Sequence, residues 1–349
     1  MIYSPLKFKP IYQHRLWGGD RLKRLYQKNV PKGQQIGESW ELADLREGRS
    51  VVAEGSLAGY DIRQLLTEHG TEMGFTAKQC EFPFGLLIKF LDADDVLSVQ
   101  VHPDQKACRL FPGAQLKTEC WYVIDADADA VIYRGLKPGV GREELSQALS
   151  RGNVEELMEV YPARRGDFHF LPAGTVHALG AGLLVAEIQT PSDTTYRLYD
   201  WQRTDKEGKS RELHIEEALA SIHYTAPPPA GKVDTSEAAN NESDILAELI
   251  GEIGTVRRLI ECPYFNVVHA TTGQNMLVDF ACPFPLVMMV LSGKGRVGNH
   301  REQDYRCGYR PGDTILLPAM EQTRLEIIEP GECLFTCLGS TKAKYTHRV

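Results

Sequence analysis

The sequence lacks the features that mark secreted, membrane-spanning and disulfide-bonded proteins. Its eight cysteines are scattered and include no Cys-x-x-Cys pair, so neither a disulfide framework nor a thiolate metal site is indicated. No apolar run approaches the ~18 residues of a membrane-spanning helix, and no apolar core follows the N-terminus as in a signal peptide. We therefore expect a cytoplasmic protein with reduced thiols and no membrane partner.

Clusters of basic residues are also missing. The net charge is −8 over 349 residues, and no stretch concentrates lysine and arginine as nucleic-acid binding requires. We expect no nucleic-acid partner, although local cations could still hold a small anionic substrate. The apolar content of 42% and the charged content of 25% are ordinary for a globular protein, and the length favours two domains. The sequence gives no indication of the oligomeric state.

Two strand-like segments carry polar residues at alternating positions. The first is Leu97–His102. Because neighbouring side chains on a strand point to opposite faces, Gln100 and His102 share one face, with Ser98 beside them. The pattern predicts an amide and an imidazole directed into the same space.

The second polar strand is Lys117–Ile124. By the same alternation Lys117, Glu119 and Trp121 share one face. If both strands direct these faces inward, an imidazole, an amide, a carboxylate and an ammonium group meet in one cavity. Such a set indicates a site for a metal ion or an anion.

A third segment, residues 166–177, combines a strand, a Pro-Ala-Gly turn and a histidine where the next strand begins. Its spacing resembles the second cupin motif, with matches at Gly166, Pro172, Gly174 and His177. The first cupin motif normally has His-x-His followed shortly by Glu. This chain has Gln100-Val101-His102 instead, and a long insertion delays Glu119.

That departure resembles type I mannose-6-phosphate isomerases in their short bacterial form. Further segments match this family over roughly residues 1–225: Trp17–Gly19, Gly37–Trp40, Leu97–Asp104, Lys117–Glu119 and Ser192–Arg197. The resemblance implies a metal-dependent aldose-ketose isomerase that interconverts mannose 6-phosphate and fructose 6-phosphate. The proton would pass between neighbouring carbons through an enediol.

The resemblance also implies a mainly β fold made of two cupin-type jelly-roll domains with small helical insertions. We expect a catalytic domain over residues 1–225 with a helical insertion around 138–161, a linker over 226–244, and a second cupin-like domain over 245–349. In the insertion, Arg142–Leu149 and Val154–Tyr161 are predicted to be two helices. The second module repeats the Gly-to-Pro spacing at Gly312 and Pro318, but Thr323 stands where the first module has its histidine. We therefore expect no metal in it.

The implied cofactor is one divalent zinc ion per chain, held by His102, Glu119, His177 and Gln100. Either histidine alone is as consistent with packing as with ligation, whereas the combination at family spacing favours a metal site. Zinc suits imidazole and carboxylate ligands with one position open to substrate or water. His169 lies on the strand that leads to His177, and we expect it to be a packing residue and not a zinc ligand.

The substrate, a small sugar phosphate, is expected to contact five further residues. We assign catalytic roles to Arg197, Lys117 and Asp193, and substrate binding to Ser98 and Trp17 as well as to Lys117 and Arg197. Lys117 would transfer a proton or anchor the phosphate, and Arg197 would stabilise negative charge. Asp193 orients Arg197 or takes part in a proton relay, or else it only forms a loop turn. Lys89, within the apolar run from Phe84 to Asp92, is expected to extend outward to solvent.

Two other functions fit a cupin. An iron-dependent oxygenase would use two histidines and one carboxylate on ferrous iron, but it has no need for lysine and arginine in the cavity. A non-catalytic sugar-binding cupin would bind a sugar without turnover. Oxygen consumption and the formation of fructose 6-phosphate distinguish these alternatives.

Overall fold

The computed structural model describes residues 4–204, 207–225, 231–232, 246, 250–299 and 306–339. Antiparallel strands dominate this part of the chain and form two sandwiches, each built from a pair of sheets. The prediction of a mainly β fold with two jelly-roll modules is confirmed. Most of the predicted linker 226–244 lies outside the described residues, and only Gly231–Lys232 is seen, as a strand.

The first sandwich pairs a seven-stranded sheet with a five-stranded one. Numbered in chain order, the strands of the larger sheet are β2 (Ile11–Gly19), β3 (Ile36–Leu42), β6 (Leu87–Ala93), β8 (Glu119–Ala126), β11 (Asp167–Leu171), β13 (Leu183–Gln189) and β15 (Gly231–Lys232). Those of the smaller sheet are β7 (Val99–Val101), β9 (Val131–Leu136), β10 (Met158–Pro162), β12 (His177–Leu179) and β14 (Tyr196–Tyr199). A separate hairpin consists of β4 (Asp44–Leu45) and β5 (Gly48–Arg49).

The second sandwich pairs a six-stranded sheet with a four-stranded one. The larger sheet contains β1 (Leu6–Lys7), β16 (Gly254–Glu261), β17 (Phe265–Thr272), β19 (Leu286–Val290), β22 (Thr314–Leu317) and β24 (Glu332–Leu338). The smaller contains β18 (Met276–Cys282), β20 (Lys294–Asn299), β21 (Arg306–Tyr309) and β23 (Met320–Glu329). Strand β1 joins this sheet by pairing Leu6 with Leu316. The start of the chain therefore ties the two sandwiches together.

Six short helices and two 3₁₀ turns connect the strands in the described residues. They are α1 (Arg21–Tyr26), α2 (Ile62–His69), α3 (Ala77–Glu81), α4 (Gln105–Leu110), α5 (Arg142–Arg151) and α6 (Ile215–Ser221), with 3₁₀ turns at Val154–Leu157 and Gly251–Ile253. None of the helices described is long and apolar enough to cross a bilayer.

The prediction of two helices in the insertion is wrong for the second of them. The first is confirmed as α5, but Val154–Tyr161 forms a single 3₁₀ turn and then strand β10, which runs along β9. Asn153, which precedes the 3₁₀ turn, makes no side-chain hydrogen bond that caps it. Pairing with β9 satisfies the backbone groups instead, so tertiary contact overrides the local helical pattern.

The largest apolar cluster lies between the two sandwiches rather than inside either. On β13, Leu184 and Ile188 belong to this cluster together with Val267 of the second sandwich. Leu183 and Val185, at the alternate positions, point into the first sandwich. Because both faces of these strands are buried, their sequences are nearly continuous apolar runs. Polar side chains on the inward face must therefore find their hydrogen-bond and ion-pair partners in one another.

Glu332 links the two sandwiches through hydrogen bonds. Its carboxylate accepts from His269 Nε2 at 3.1 Å, from Arg165 Nη2 at 2.8 Å and from the Tyr122 hydroxyl at 3.1 Å. The hydrogen bonds from His269 and Arg165 lower the pKa of Glu332 from 4.5 to about 2, against the opposing effect of burial. This carboxylate should stabilise the fold only while it is ionised.

We predict that Glu332→Gln lowers the stability at pH 7 by about 2 kcal/mol, the scale of hydrogen bonds to a charged group. The pKa is lower in the folded state, so the wild-type advantage is full above pH 4.5 and disappears as the pH falls toward 2. Thermal unfolding across this range measures it. Glu329→Gln is the control, because Glu329 pairs with Lys294 at the surface, where both side chains are 54% exposed. A wild-type advantage that persists unchanged at pH 2 contradicts the prediction.

Candidate metal centre and active site

His102, Glu119 and His177 converge as the sequence predicts. His102 follows β7, Glu119 begins β8 and His177 begins β12. All three are buried, and one ligand atom from each lies within 4.8 Å of the other two. Nε2 of His102 lies 3.2 Å from Glu119 Oε2, and Nε2 of His177 lies 3.2 Å from Glu119 Oε1. Side chains that are distant in sequence thus surround one small space.

Hydrogen bonds behind the two rings fix their tautomers. Nδ1 of His102 lies 3.1 Å from the Thr194 carbonyl oxygen, and Nδ1 of His177 lies 2.9 Å from that of Thr175. Since a carbonyl only accepts, each Nδ1 carries the proton and each Nε2 turns its lone pair toward Glu119. Both Glu119 oxygens and Nε2 of His102 lack hydrogen-bond partners among the described residues. These buried acceptors facing one another fit a divalent cation.

Gln100 lies within reach as a fourth ligand. Its amide nitrogen is 3.2 Å from Nε2 of His177. A half-turn of the amide brings the oxygen to the same place, and the two orientations have nearly the same shape. The two imidazoles and the carboxylate match the ligand types that zinc accepts.

The electrostatics keep His102 neutral and Glu119 ionised. Burial, followed by the charge of Lys117, lowers the pKa of His102 to about 3. Burial alone would raise the pKa of Glu119, but Lys117 and His102 hold it well below its ordinary value. Lys117 Nζ lies 3.1 Å from Glu119 Oε2. Neutral imidazoles and an ionised carboxylate are the protonation states that metal binding requires.

A glycine turn joins the two histidine ligands. Gly174 has a φ of +87°, and a Cβ there would lie 2.5 Å from the His223 ring. Its N–H donates to the His102 carbonyl at 2.9 Å. The turn that delivers His177 is therefore fixed to the chain segment that carries His102, and only glycine fits this position.

A cavity of about 470 Å³ adjoins the cluster, a volume within the range of small-molecule sites. Six residues predicted from the sequence line it: Trp17, Ser98, Gln100, Lys117, Asp193 and Arg197. Charged side chains form much of the remaining wall, including Arg15, Glu38, Lys89, Glu187 and Arg211. The cavity is suited to a polar, charged ligand.

Three ion pairs border this cavity. They join Lys89 to Glu187 at 2.8 Å, Arg15 to Glu38 at 2.6 Å, and Lys117 to Glu119 at 3.1 Å. Each pair is neutral, so the polar wall does not carry a large uncompensated charge at these points.

Comparisons with known proteins agree on one family. The model of the phosphomannose isomerase type I catalytic domain matches residues 6–127. Mannose-6-phosphate isomerase ManA of Bacillus subtilis is 37% identical over 319 residues, which cover 91% of this chain and 94% of that protein. The chain belongs to the type I phosphomannose isomerases. Mannose-6-phosphate isomerase of Streptococcus mutans is 36% identical over 315 residues, covering 90% of this chain and 92% of that protein.

The solved structures extend the likeness to the whole fold of this phosphomannose isomerase. The crystal structure of the mannose 6-phosphate isomerase from Bacillus subtilis aligns with a TM-score of 0.80 at 29% identity. The alignment covers 96% of this chain and 99% of the other. Both sandwiches therefore belong to the common architecture.

Lys89 of this isomerase does not extend to solvent, and that prediction is wrong. Its side chain is only 5% exposed and points into the first sandwich, where it pairs with Glu187. Glu187 also accepts from the indole N–H of Trp121 at 2.8 Å. Strand β6 is buried on both faces, so an inward carboxylate provides a better partner than solvent. A lysine inside an apolar run was the sequence signal for this pair.

Other charged cavity residues were missed because nothing local distinguishes them. Glu38 accepts from the Trp40 indole at 2.7 Å as well as from Arg15. Lys89 lies 3.8 Å from the same carboxylate. Arg211 lies in a polar segment whose sequence predicts an exposed loop. Only the folded chain brings these groups to the cavity.

Arg197 and Asp193 line the cavity from different segments, a strand and the loop before it. Arg197 on β14 pairs in register with Gln100 on β7, and its Nη1 donates to the Glu212 carbonyl at 2.7 Å. Asp193 is exposed in the preceding loop. The two side chains form no ion pair in the described part of the chain, so the structure gives no sign that Asp193 orients Arg197.

Proposed function

We propose that this chain interconverts mannose 6-phosphate and fructose 6-phosphate. The observation that carries the proposal is the buried cluster of His102, Glu119 and His177 beside a cavity whose wall includes lysine and arginine. A sugar phosphate needs both features, since charge develops on its oxygens during reaction and its phosphate is anionic. The relatives named as mannose-6-phosphate isomerases support this choice of substrate.

We propose zinc as the metal. His102, Glu119, His177 and Gln100 would hold it, since their nitrogen and oxygen atoms are of the types that zinc prefers. When bound, the ion acts as a Lewis acid that stabilises the negative charge developing on the sugar oxygens.

Glu187 is our candidate for the base that takes the proton from carbon. A base must offer a lone pair, and Glu187 lines the cavity with its Oε1 paired to Lys89 at 2.8 Å. Trp121 holds the other oxygen, Oε2. The two contacts orient the carboxylate at the cavity wall, and a positioned carboxylate is what general-base catalysis needs.

The remaining residues bind the substrate and stabilise charge. We assign Lys117 to proton transfer with the substrate oxygens, because its ammonium lines the cavity beside Glu119. Arg197 would stabilise negative charge on the substrate, and Asp193 would relay protons at the cavity edge. Ser98 and Trp17 form the wall against which the sugar lies.

We further propose that residues 1–225 form the catalytic domain and residues 245–349 support it by packing. Thr323, the counterpart of His177 in the second module, is buried and offers no imidazole. The cysteines in the described residues are free thiols, which supports a reducing, cytoplasmic location.

The test is a coupled assay for fructose 6-phosphate formed from mannose 6-phosphate. Activity should disappear after treatment with a chelator and dialysis, and it should return on addition of zinc. Turnover that survives complete metal removal contradicts the role of the ion. Oxygen consumption without isomerisation favours the oxygenase, and mannose 6-phosphate binding without turnover favours the sugar-binding alternative.

Lys117→Met should lower turnover by roughly 100-fold, the scale of one positioned proton-transfer group. The metal content should stay near one ion per chain, because the ligands themselves remain. Steady-state kinetics and elemental analysis of the same sample measure both. Wild-type turnover in this variant removes Lys117 from the mechanism.

A further inference from the structure

Arg197 and Arg211 differ from the other cations of the cavity. The three neutral ion pairs described above account for the remaining lysines and arginine of its wall. Arg197 makes no ion pair within the described residues, and the carboxylate partner of Arg211, Asp200, is not part of the cavity lining. Two guanidinium groups therefore face the cavity against the single exposed carboxylate of Asp193. The excess charge is positive.

Asp200 holds Arg211 rigidly. Nε of Arg211 donates to Oδ2 of Asp200 at 2.7 Å, and Nη2 donates to Oδ1. The Asp200 side chain is only 7% exposed and also accepts from Arg203 Nη2 at 2.6 Å. This two-point contact fixes the plane of the Arg211 guanidinium and leaves Nη1 without a partner in the described part of the chain. A fixed planar donor is suited to phosphate.

Arg197 offers a second donor nearby. Its Nη1 is used by the Glu212 carbonyl, but its buried Nε has no hydrogen-bond partner among the described residues. Arg197 and Arg211 line the same cavity, where their like charges repel each other. Burial and then the charge of Arg211 lower the pKa of Arg197. An anion between them relieves this repulsion and satisfies the unpaired donor.

We propose that Arg211, positioned by Asp200, binds the phosphate group of the substrate together with Arg197 and so sets the preference for phosphorylated sugars. This inference rests on the proposed isomerase function. Arg197 lies on β14 of the five-stranded sheet, whereas Lys89 and Glu187 lie on β6 and β13 of the seven-stranded sheet. The phosphate would therefore lie at the β14 edge of the five-stranded sheet, and the proposed base Glu187 lies on the opposite sheet.

The experiment compares Arg211→Met with Arg203→Met. Each substitution removes one of the ion pairs that Asp200 makes with an arginine, but Arg203 is not part of the cavity wall. Arg211→Met should raise the KM for mannose 6-phosphate and the Kd for inorganic phosphate, measured by calorimetry, by about 10- to 100-fold. Its kcat, and kcat/KM for unphosphorylated mannose, should change by less than about threefold, as should every constant of Arg203→Met.

Equal effects of the two substitutions would mean that Arg211 only supports the fold around Asp200, and unchanged phosphate binding in Arg211→Met would also overturn the proposal. If that variant melts far below the wild type, Asp200→Asn/Arg211→Met removes both charges and is measured in its place. If the wild-type protein forms no fructose 6-phosphate, the proposed isomerase function fails. The phosphate titration still decides whether Arg211 is an anion site.

Discussion

Glu119→Gln is expected to lose the metal and nearly all isomerase activity. The substitution keeps the size of the side chain but removes the negative charge that faces His102 and His177. A neutral amide cannot balance a divalent ion in this buried space. We expect turnover to fall roughly a thousandfold or more, because a metal ion contributes several kcal/mol of charge stabilisation. Elemental analysis and the coupled assay on the same preparation measure both losses.

His169→Asn is the matched control for the metal cluster. His169 is 2% exposed and lies in the same sandwich, but it is not part of the three-residue cluster. Burial lowers its pKa to about 4, with Arg134 adding to the effect, so it is a neutral buried imidazole like His102. His177→Ala should lose metal and activity together, whereas His169→Asn should keep its metal. Full activity in metal-free Glu119→Gln would refute the proposed role of the cluster.

Glu187→Gln should lower kcat by about 10²- to 10⁴-fold, the contribution typical of a general base. The amide retains the shape of the side chain and can still accept from Trp121, but it offers no basic oxygen. We expect the metal content to remain at the wild-type level, since Glu187 is not among the three clustered ligands. Steady-state kinetics, together with the rate of exchange of the substrate C2 proton with solvent, measures the effect.

Glu38→Gln separates base catalysis from a structural role. Glu38 lies 3.8 Å from Lys89 and lines the same cavity. Burial would raise its pKa, but Lys89 and Arg15 hold that pKa at about 2. If Glu187 matters only because it pairs with Lys89, the two substitutions should have comparable effects. A much larger loss of proton exchange in Glu187→Gln identifies Glu187 as the base.

The residues of the proposed metal site could be found from the sequence because their positions depend on local rules. Alternation along a strand places Gln100 and His102 on the same face, and the turn before His177 needs Gly174 at a positive φ. These short-range constraints leave a clear spacing pattern. The repeated Gly-to-Pro spacing likewise identified the second module, whose strands are present in the structure.

Strand alternation alone cannot predict where the side chains of Lys89 and Glu187 point. Both stand in strands buried on two faces, where apolar residues occupy successive positions and no polar face marks the outside. The sequence therefore does not indicate to which face of the sheet a single charged side chain in such a run points, until the neighbouring strand is known. The register that pairs Lys89 with Glu187 decides that both side chains point inward.

The sequence by itself determined the β architecture, the family and the three residues of the proposed metal cluster, since strand alternation and turn geometry act over a few residues. Only the tertiary structure decided that β1 joins the second sandwich, that β10 replaces a predicted helix, and that Arg211 reaches the cavity. The physical reason is the same in each case. Backbone pairing and charge compensation between distant segments set these features, and a local pattern contains no information about which distant segment will be the partner.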